Sequence, residues 1–198
     1  MIFINGKSKG SPQGIPVADF TLLLSTTDEY CLLQPLRDRA KLSLRFQYYS
    51  DDELAKVLDF RVRSLRWNVD QSIFPAIAKR SRGTPRLALR LLQSSRRVSR
   101  AEAETRVTAQ HLKRACQLEQ IDSLGLGPTE QRYLQIVADG GSRLNVIASQ
   151  LGLPPRTVSQ VAEPFLIRVR LLTKDDQGRR QITARGREHL SNSSHVCD

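Results

Sequence analysis

The stretch from Lys79 to Leu92, K-R-S-R-G-T-P-R-L-A-L-R-L-L, predicts that two helices meet in the middle of the chain. Gly83 can end the first helix in a left-handed turn, because glycine has no Cβ to oppose a positive φ. Thr84 can then cap a second helix, whose first position suits Pro85. The sequence therefore predicts a helical region that extends to both sides of this junction.

Arginines crowd the same junction. Arg86 falls in the first turn of the second helix, where the helix dipole disfavours a cation, and Arg80 and Arg82 lie just upstream. Unpaired backbone N–H groups at a helix N-terminus bind anions, and guanidinium groups bind phosphate in a bidentate way. The pattern favours a phosphate ligand here, with a solvated basic corner as the alternative.

The composition of the 198-residue chain favours a polyanionic partner. It carries 31 Lys and Arg against 20 Asp and Glu, which gives a formal net charge of +11 and a pI near 10.2. Most of the basic residues are arginines, whose planar fork suits phosphate, so nucleic acid is the predicted partner. An acidic membrane surface is less favoured, because no long basic amphipathic helix stands out. No apolar run approaches about 18 residues and the first residues do not resemble a signal peptide, so we expect no membrane span and a cytoplasmic protein.

Cysteine and histidine residues are few and widely spaced. Their spacing matches no metal-binding pattern and no disulfide framework, so the sequence predicts no metal site. These residues are Cys31, Cys116, Cys197, His111, His189 and His195.

The first 48 residues have an α/β character. Phe20–Leu24 is a continuous apolar run followed by Ser25–Thr27, a pattern typical of a buried parallel strand with polar residues at its C-terminal end. Ligands of α/β proteins bind at such strand ends. A short helix is expected around Cys31–Arg39, and a second strand over Leu42–Phe46.

From Ser50 onward the apolar residues recur at helical spacing. Ser50 and Glu53 form a capping-box pattern at the start of a helix. Further helices are predicted over Gln71–Ser81, from Thr84 to about Val98 and from Thr108 to about Leu118. Residues 49–123 are therefore predicted to form a four-helix domain.

A glycine- and proline-rich segment at residues 122–128, D-S-L-G-L-G-P, predicts a domain boundary. Helices are expected from Thr129, over Leu144–Leu151 and from Arg156, followed by strands over Leu166–Thr173 and Arg179–Thr183. Helices followed by a β-ribbon indicate a winged-helix domain over residues 124–198. The predicted fold class is mainly α (α+β).

Four segments, in order along the chain, resemble the RuvB family of AAA+ motors that drive branch migration of Holliday junctions. They are F-T-L-L-L-S-T-T at residues 20–27, P-L-R-D-R at 35–39, R-S-R-G-T-P-R-L-A-L-R-L-L at 80–92 and E-P-F-L-I at 163–167. Proline is unfavourable inside a helix, so its presence in the last segment makes that match specific. The resemblance implies the end of a large AAA+ domain in residues 1–48, an AAA+ lid in 49–123 and a DNA-binding winged helix in 124–198.

The resemblance also implies roles for individual residues. Thr27 matches the strand-end threonine that acts as sensor 1, and Arg39, with Arg37 as second choice, matches the arginine finger that reaches the ATP of a neighbouring subunit. Arg86 matches the sensor 2 arginine that reaches the γ-phosphate, and Pro85 precedes it. ATP and Mg²⁺ are thus cofactors implied by the family.

The sequence departs from the family in its nucleotide-binding half. It contains no G-x-x-x-x-G-K-[ST] loop, and no apolar strand ending in D-E precedes residue 20. The family's phenylalanine-glycine after the finger is Ala40-Lys41 here. We therefore expect this chain alone neither to bind ATP and Mg²⁺ nor to hydrolyse ATP.

The winged-helix region predicts contact with DNA. Residues in the first turns of its third helix meet the groove or backbone in such domains, and basic residues of the ribbon meet phosphates without reading sequence. The candidates are Arg156, Thr157, Gln160, Lys174, Arg179 and Arg180. Some winged helices bind proteins instead, which is the alternative.

Two functions follow from these observations. In the first, the chain is a truncated component of a RuvB-like four-way junction DNA helicase in recombination and repair, acting with a full-length RuvB-like subunit in a ring and a RuvA-like junction-binding protein. In the second, it is a non-enzymatic winged-helix DNA-binding protein derived from such a motor. A third, weaker interpretation is a remnant with an exposed sheet edge at residues 20–27.

Overall fold

The computed structural model describes the backbone of residues 2–4, 13–15, 18–19 and 21–193, and the side chains of 18–19 and 21–192. The chain divides into two compact units, residues 1–46 and residues 47–198, and each is described by itself. In the described part, no helix has the length and apolar character needed to cross a membrane.

The described residues of the first unit contain two short strands, a 3₁₀ turn and one short helix. Strands β1 (Ile2–Ile4) and β2 (Gln13–Ile15) pair antiparallel, and a 3₁₀ turn at Glu29–Cys31 precedes helix α1 (Gln34–Arg39). The helix expected in this region is therefore present in part.

The strands predicted over Phe20–Leu24 and Leu42–Phe46 are wrong for the residues that the structure describes. Residues 21–26 and 42–46 form neither helix nor strand, and the side chains of Leu23 and Phe46 are 89% and 91% exposed. Phe20 itself lies outside the described residues. A buried parallel strand needs neighbouring strands and cover on both faces, and the described part of this unit supplies neither.

The second unit begins with a helical domain whose elements match the prediction closely. Its helices are α2 (Asp51–Ser64), α3 (Phe74–Arg80), α4 (Pro85–Ala101) and α5 (Ala109–Leu118), with a 3₁₀ turn at Gln71–Ile73 before α3. The capping box at Ser50 and Glu53 is formed in both directions. A single apolar cluster fills the space between the helices, and its fully buried members include Leu54, Leu58, Ile77, Ala88 and Leu92.

The predicted junction between α3 and α4 is also confirmed. Gly83 has φ +72 and a Cβ there would lie 2.8 Å from the Cβ of Tyr48, so both the conformation and the close approach require glycine. Pro85 is the first residue of α4. Thr84 is the N-cap residue, but its hydroxyl makes no capping hydrogen bond.

A winged-helix domain follows. Helices α6 (Pro128–Ala138) and α7 (Leu144–Leu151) precede a continuous helical segment that consists of α8 (Pro155–Thr157), a π-helical stretch at Val158–Ala162 and α9 (Glu163–Arg168). Strands β3 (Leu172–Lys174) and β4 (Arg180–Ile182) pair antiparallel, with Leu172 opposite Ile182. Helix α10 (Ala184–Ser193) was not predicted.

The first strand of the ribbon begins later than the sequence indicates. Leu166, predicted as strand, lies in α9 with its side chain fully buried in a second apolar cluster. The run L-I-R-V-R-L-L at residues 166–172 is short, apolar and rich in branched side chains, so periodicity alone cannot separate helix from strand. Arg170, with φ +58, makes the turn between the helix and the strand.

Candidate nucleic-acid interface

Arg82, from the loop between α3 and α4, reaches into the winged-helix domain. Its Nε and Nη2 atoms donate to the carbonyl oxygen of Gly125 at 2.8 and 2.6 Å, and its Nη1 atom lies 2.7 Å from the Glu130 carboxylate. The guanidinium also lies over the ring of Phe165, 4.8 Å from its centre. The prediction that Arg82 gathers with Arg86 around a phosphate is therefore wrong, because each of its three side-chain nitrogen atoms bonds to the winged-helix domain.

Arg168, at the end of α9, makes the reciprocal contact. Its Nη2 atom donates to the backbone carbonyl of Arg82 at 2.6 Å, and its guanidinium stacks on the ring of Tyr48 at 3.4 Å. We call Arg82 and Arg168, with their partners Tyr48, Gly125, Glu130 and Phe165, the arginine clasp. It joins two of the segments that resembled RuvB, residues 80–92 and 163–167, and the spacing of their residues along the sequence gave no sign of this.

Gly125 allows the close approach on which the clasp depends. It has φ +79, and a Cβ at this position would lie 2.0 Å from the carbonyl oxygen of Arg80. Any other residue would push the two domains apart.

Arg86, unlike Arg82, stays exposed at the junction. It lies in the first turn of α4, a helix that has no side-chain cap. Arg80, by contrast, turns back and donates from Nη1 to the carbonyl of Ala76 at 2.9 Å. Of the predicted phosphate ligands, Arg86 alone has the exposure that the role requires.

The predicted DNA-contacting residues of the third helix lie together on its exposed face. Arg156, Thr157 and Gln160 are all exposed, and Arg156 Nε donates to Gln160 Oε1 at 3.2 Å. The π-helical stretch begins within this group, at Val158. A π-helical turn re-aims side chains and occurs often at functional sites.

Among the described residues of the wing, Arg179 is an exposed cation, whereas Lys174 and Arg180 are engaged in ion pairs. Arg179 is exposed at the end of the Asp175–Gly178 turn. Lys174 Nζ lies 2.6 Å from Glu163, and Arg180, whose side chain is only 11% exposed, lies 2.8 Å from the same carboxylate. The geometry therefore does not support a DNA-contacting role for Arg180, and it gives Lys174 a structural partner.

Glu163 is a buried carboxylate at the centre of this domain. Tyr133 Oη also donates to it, at 2.8 Å. Burial raises the pKa of Glu163, but the hydrogen bonds from Arg180, Lys174 and Tyr133 outweigh burial, so its pKa is below the usual value. Burial, followed by the hydrogen bond to Glu163, raises the pKa of Tyr133. The carboxylate therefore stays charged and holds the wing against the third helix.

The residues predicted to sense ATP in the first unit are exposed or engaged locally. Thr27 and Arg39 are exposed, and Arg39 Nη1 donates to the carbonyl of Pro35 at 3.3 Å. Arg37 is half-buried and donates to Gln34. These contacts leave the predicted roles of all three untested.

Comparison with known proteins places this architecture in a family. The RuvB AAA lid domain model matches residues 49–122, and the RuvB C-terminal winged helix domain model matches residues 123–191. The RuvB subunit of the Holliday junction branch migration complex from Rickettsia africae is 35% identical over 98% of this chain, and its homologue from Prochlorococcus marinus is 35% identical over 88%. The chain spans 59% and 51% of these two relatives, about half their length.

A solved structure also matches this chain to RuvB. The Thermotoga maritima RuvB Holliday junction branch migration motor superposes with a TM-score of 0.71 and 29% identity, covering 81% of this chain and 55% of that one. The fold, the order of the motifs and the two family models agree with one another. The chain therefore belongs to the RuvB family, with the family's lid domain followed by its C-terminal winged helix.

Proposed function

We propose that this chain is a DNA-binding component of a RuvB-type branch migration machinery. The observation that carries the proposal is the exposed face formed by Arg156, Thr157 and Gln160 in the third helix, together with Arg179 in the wing. We call these four residues the DNA face. Arginine at such positions binds phosphate, and the net charge of +11 adds long-range attraction to a polyanion.

Binding through this face is expected to be independent of sequence. Phosphate contacts fix the position of a protein on the duplex but carry no base information. A machine that moves a junction along DNA needs this kind of contact. Four-way junctions and plain duplex are therefore both proposed ligands.

The chain by itself does not offer a complete site for ATP and Mg²⁺. Its sequence contains no phosphate-binding loop, and Arg86 of the second unit lies exposed in the first turn of a helix without a side-chain cap. We therefore propose that any nucleotide near Arg86 and Pro85 is held by another subunit, and that Thr27, Arg39 and Arg37 act only in such an assembly. A full-length RuvB-like subunit and a RuvA-like junction-binding protein are the proposed partners.

The first experiment is equilibrium binding of the purified chain to a four-way junction and to duplex DNA over a series of salt concentrations, with and without ATP. We expect binding that falls steeply with salt and does not change with ATP. A change of affinity on adding ATP would show that the chain holds a nucleotide site of its own. Absence of binding to both DNAs would refute the DNA-binding proposal.

Replacement of two arginines tests the DNA face. Arg156→Ala combined with Arg179→Ala should weaken binding to every DNA sequence alike, and the magnitude of the salt slope should fall by about 2. The matched control is Arg61→Ala combined with Arg114→Ala, which removes the same charge from exposed positions of the lid. An equal loss in both variants would mean that net charge, and not the DNA face, determines affinity.

A non-enzymatic DNA-binding protein is the second candidate function, favoured by the lack of a phosphate-binding loop in the sequence. The two candidates differ in the presence of an intact RuvB. If the chain changes the ATP-dependent unwinding rate of a full-length homologue, it acts in the motor. DNA binding without any effect on that rate would favour the non-enzymatic function.

A further inference from the structure

We propose that the loop between α4 and α5 is a binding site for a divalent transition-metal ion such as Zn²⁺, held by Glu102, Glu104 and His111. Each of the three side chains offers one ligand atom, and these atoms all lie within 4.8 Å of one another. The site lies in the lid and shares no residue with the DNA face or the arginine clasp. It therefore does not depend on the proposed function.

The buried imidazole of His111 is the first observation that points to a ligand. Its side chain is 1% exposed, and its Nε2 atom has no hydrogen-bond partner among the described residues. Nε2 faces Oε2 of Glu102 at 3.3 Å and Oε2 of Glu104 at 3.4 Å. Buried polar atoms are almost always satisfied, so an unpaired one that faces two carboxylates requires an explanation.

The separations fit a shared cation better than they fit hydrogen bonds. An N–H···O bond spans about 2.7–3.2 Å. Ligand atoms about 2.0–2.2 Å from zinc at tetrahedral angles lie about 3.3–3.6 Å apart, which matches both distances from Nε2. One imidazole and two carboxylates suit a transition metal, whereas Mg²⁺ and Ca²⁺ prefer a shell made of oxygen atoms.

The other nitrogen of the ring has a suitable second partner. Nδ1 lies 3.0 Å from the hydroxyl oxygen of Thr108, which can accept the Nδ1 proton and leave the lone pair of Nε2 for a metal. The backbone N–H of Thr108 also lies 3.0 Å from Nδ1 and favours the opposite tautomer, with the proton on Nε2. A metal ion must therefore displace the Nε2 proton and select the tautomer in which Nδ1 donates to the hydroxyl.

The backbone around the site holds the two carboxylates in place. Glu102 caps the end of α4, and the N–H of Glu104 donates to the carbonyl of Ser99 at 2.9 Å. The buried hydroxyl of Ser99 donates back to the carbonyl of Glu104 at 2.8 Å. The glutamate side chains are 42% and 56% exposed, so water can complete the coordination of the metal.

Titration of the metal-stripped full chain with Co²⁺ tests the proposal, because tetrahedral Co²⁺ has a visible spectrum and thiolate ligands would add near-ultraviolet bands. We expect one ion per chain, no thiolate bands and a melting temperature that rises with Co²⁺ concentration. Glu102→Gln combined with Glu104→Gln should weaken binding by roughly tenfold or more without unfolding the chain, since both side chains reach solvent. Glu188→Gln, which removes an exposed carboxylate from α10, is the control and should leave binding unchanged.

Thr108→Val tests the tautomer, because it removes the hydroxyl acceptor and keeps the backbone N–H. We expect Co²⁺ affinity to fall by about 10–100-fold, as for other partners of metal-binding histidines. Nuclear magnetic resonance of the Zn²⁺-saturated chain should show the His111 proton on Nδ1. Unchanged affinity in the double glutamine variant, or a proton that remains on Nε2 at saturating Zn²⁺, would overturn the proposal.

Discussion

Among single residues of the winged-helix domain, Glu163 is a buried carboxylate with three side-chain partners. Its side chain is 1% exposed and is held by Tyr133, Lys174 and Arg180. Removal of the Glu163 charge leaves the guanidinium of Arg180, whose side chain is only 11% exposed, without its carboxylate partner, which costs far more than the ion pair contributes as a whole.

We therefore expect Glu163→Gln to lower the free energy of unfolding by about 3 kcal/mol at pH 7, measured by urea denaturation. Tyr133→Phe removes one hydrogen bond and leaves the ion pairs, so it should cost only about 1 kcal/mol. Equal losses in the two variants would mean that packing, and not charge, dominates this site.

The pKa of Glu163 determines how the free energy of unfolding should depend on pH. The pKa of Glu163 is lower in the folded chain than its usual value, so its contribution to stability is fully present above the unfolded pKa of about 4.3. That contribution is lost as the pH falls from there through the folded pKa. Urea midpoints measured from pH 7 down to pH 3 should fall more steeply for the wild type than for Glu163→Gln. If the urea midpoints of the two proteins fell in parallel with pH, Glu163 would not be the source of the pH dependence.

At the scale of elements, the helices that begin after Ser50 and after Thr84 use the hydroxyl groups of these residues differently. Ser50 accepts from the N–H of Glu53 at 3.3 Å, and Glu53 accepts from the N–H of Ser50 at 2.8 Å. Thr84 occupies the equivalent position at the start of α4 without a side-chain capping bond. A local sequence pattern thus predicted where both helices start. It did not predict which of the two hydroxyl groups accepts a hydrogen bond from the first turn of its helix.

Alanine at each position measures this difference. Ser50→Ala should lower the free energy of unfolding by about 1 kcal/mol, because it leaves a backbone donor of α2 unpaired. Thr84→Ala should cost less than about 0.5 kcal/mol, since no capping bond is lost. Thermal or urea denaturation of both variants in parallel gives the comparison. A larger loss at Thr84 would mean that its hydroxyl caps α4 in solution.

For residues 47–198 as a whole, the arginine clasp joins two separate apolar clusters. One cluster lies in the lid and the other in the winged helix. The pair between Arg82 and Glu130 is almost buried, with side chains 18% and 12% exposed. The orientation of the DNA face relative to the N-terminal end of α4 therefore depends on the clasp.

A double-mutant cycle on Arg82→Ala and Glu130→Ala should give a coupling energy of about 1–3 kcal/mol. Arg82→Lys should not restore the loss, because lysine cannot bond Gly125 and Glu130 with one planar group. We also expect the urea transition of Arg82→Ala to broaden or split as the two clusters unfold separately. A sharp single transition with no coupling would show that the clasp does not hold the domains together.

Much of the fold could be predicted from local patterns. The helix junction at Gly83, the capping box at Ser50 and the winged-helix order of elements all depend on residues within a few positions of one another. The strand predicted at Phe20–Leu24 failed for its described residues, because an apolar run forms a buried strand only beside other strands. The prediction that the first ribbon strand begins at Leu166 failed for a related reason, since a short apolar run suits either a helix or a strand.

The candidate site was predicted less completely. Arg86, Arg156 and Arg179 are exposed and remain predicted ligand-binding residues, whereas Arg82 and Arg180 are engaged by distant partners. An arginine in a basic stretch of sequence looks the same whether it faces solvent or a buried carboxylate.

The sequence by itself determined the family, the mainly helical fold, the winged helix and the strong positive charge, because caps, helical periodicity and charge are properties of neighbouring residues. Tertiary structure alone decided which arginines are free. Arg168 and Arg82 lie 86 positions apart, and Glu163 and Tyr133 lie 30 apart. No local pattern encodes such a pairing, since it exists only once the packing of the apolar clusters has brought the helices together.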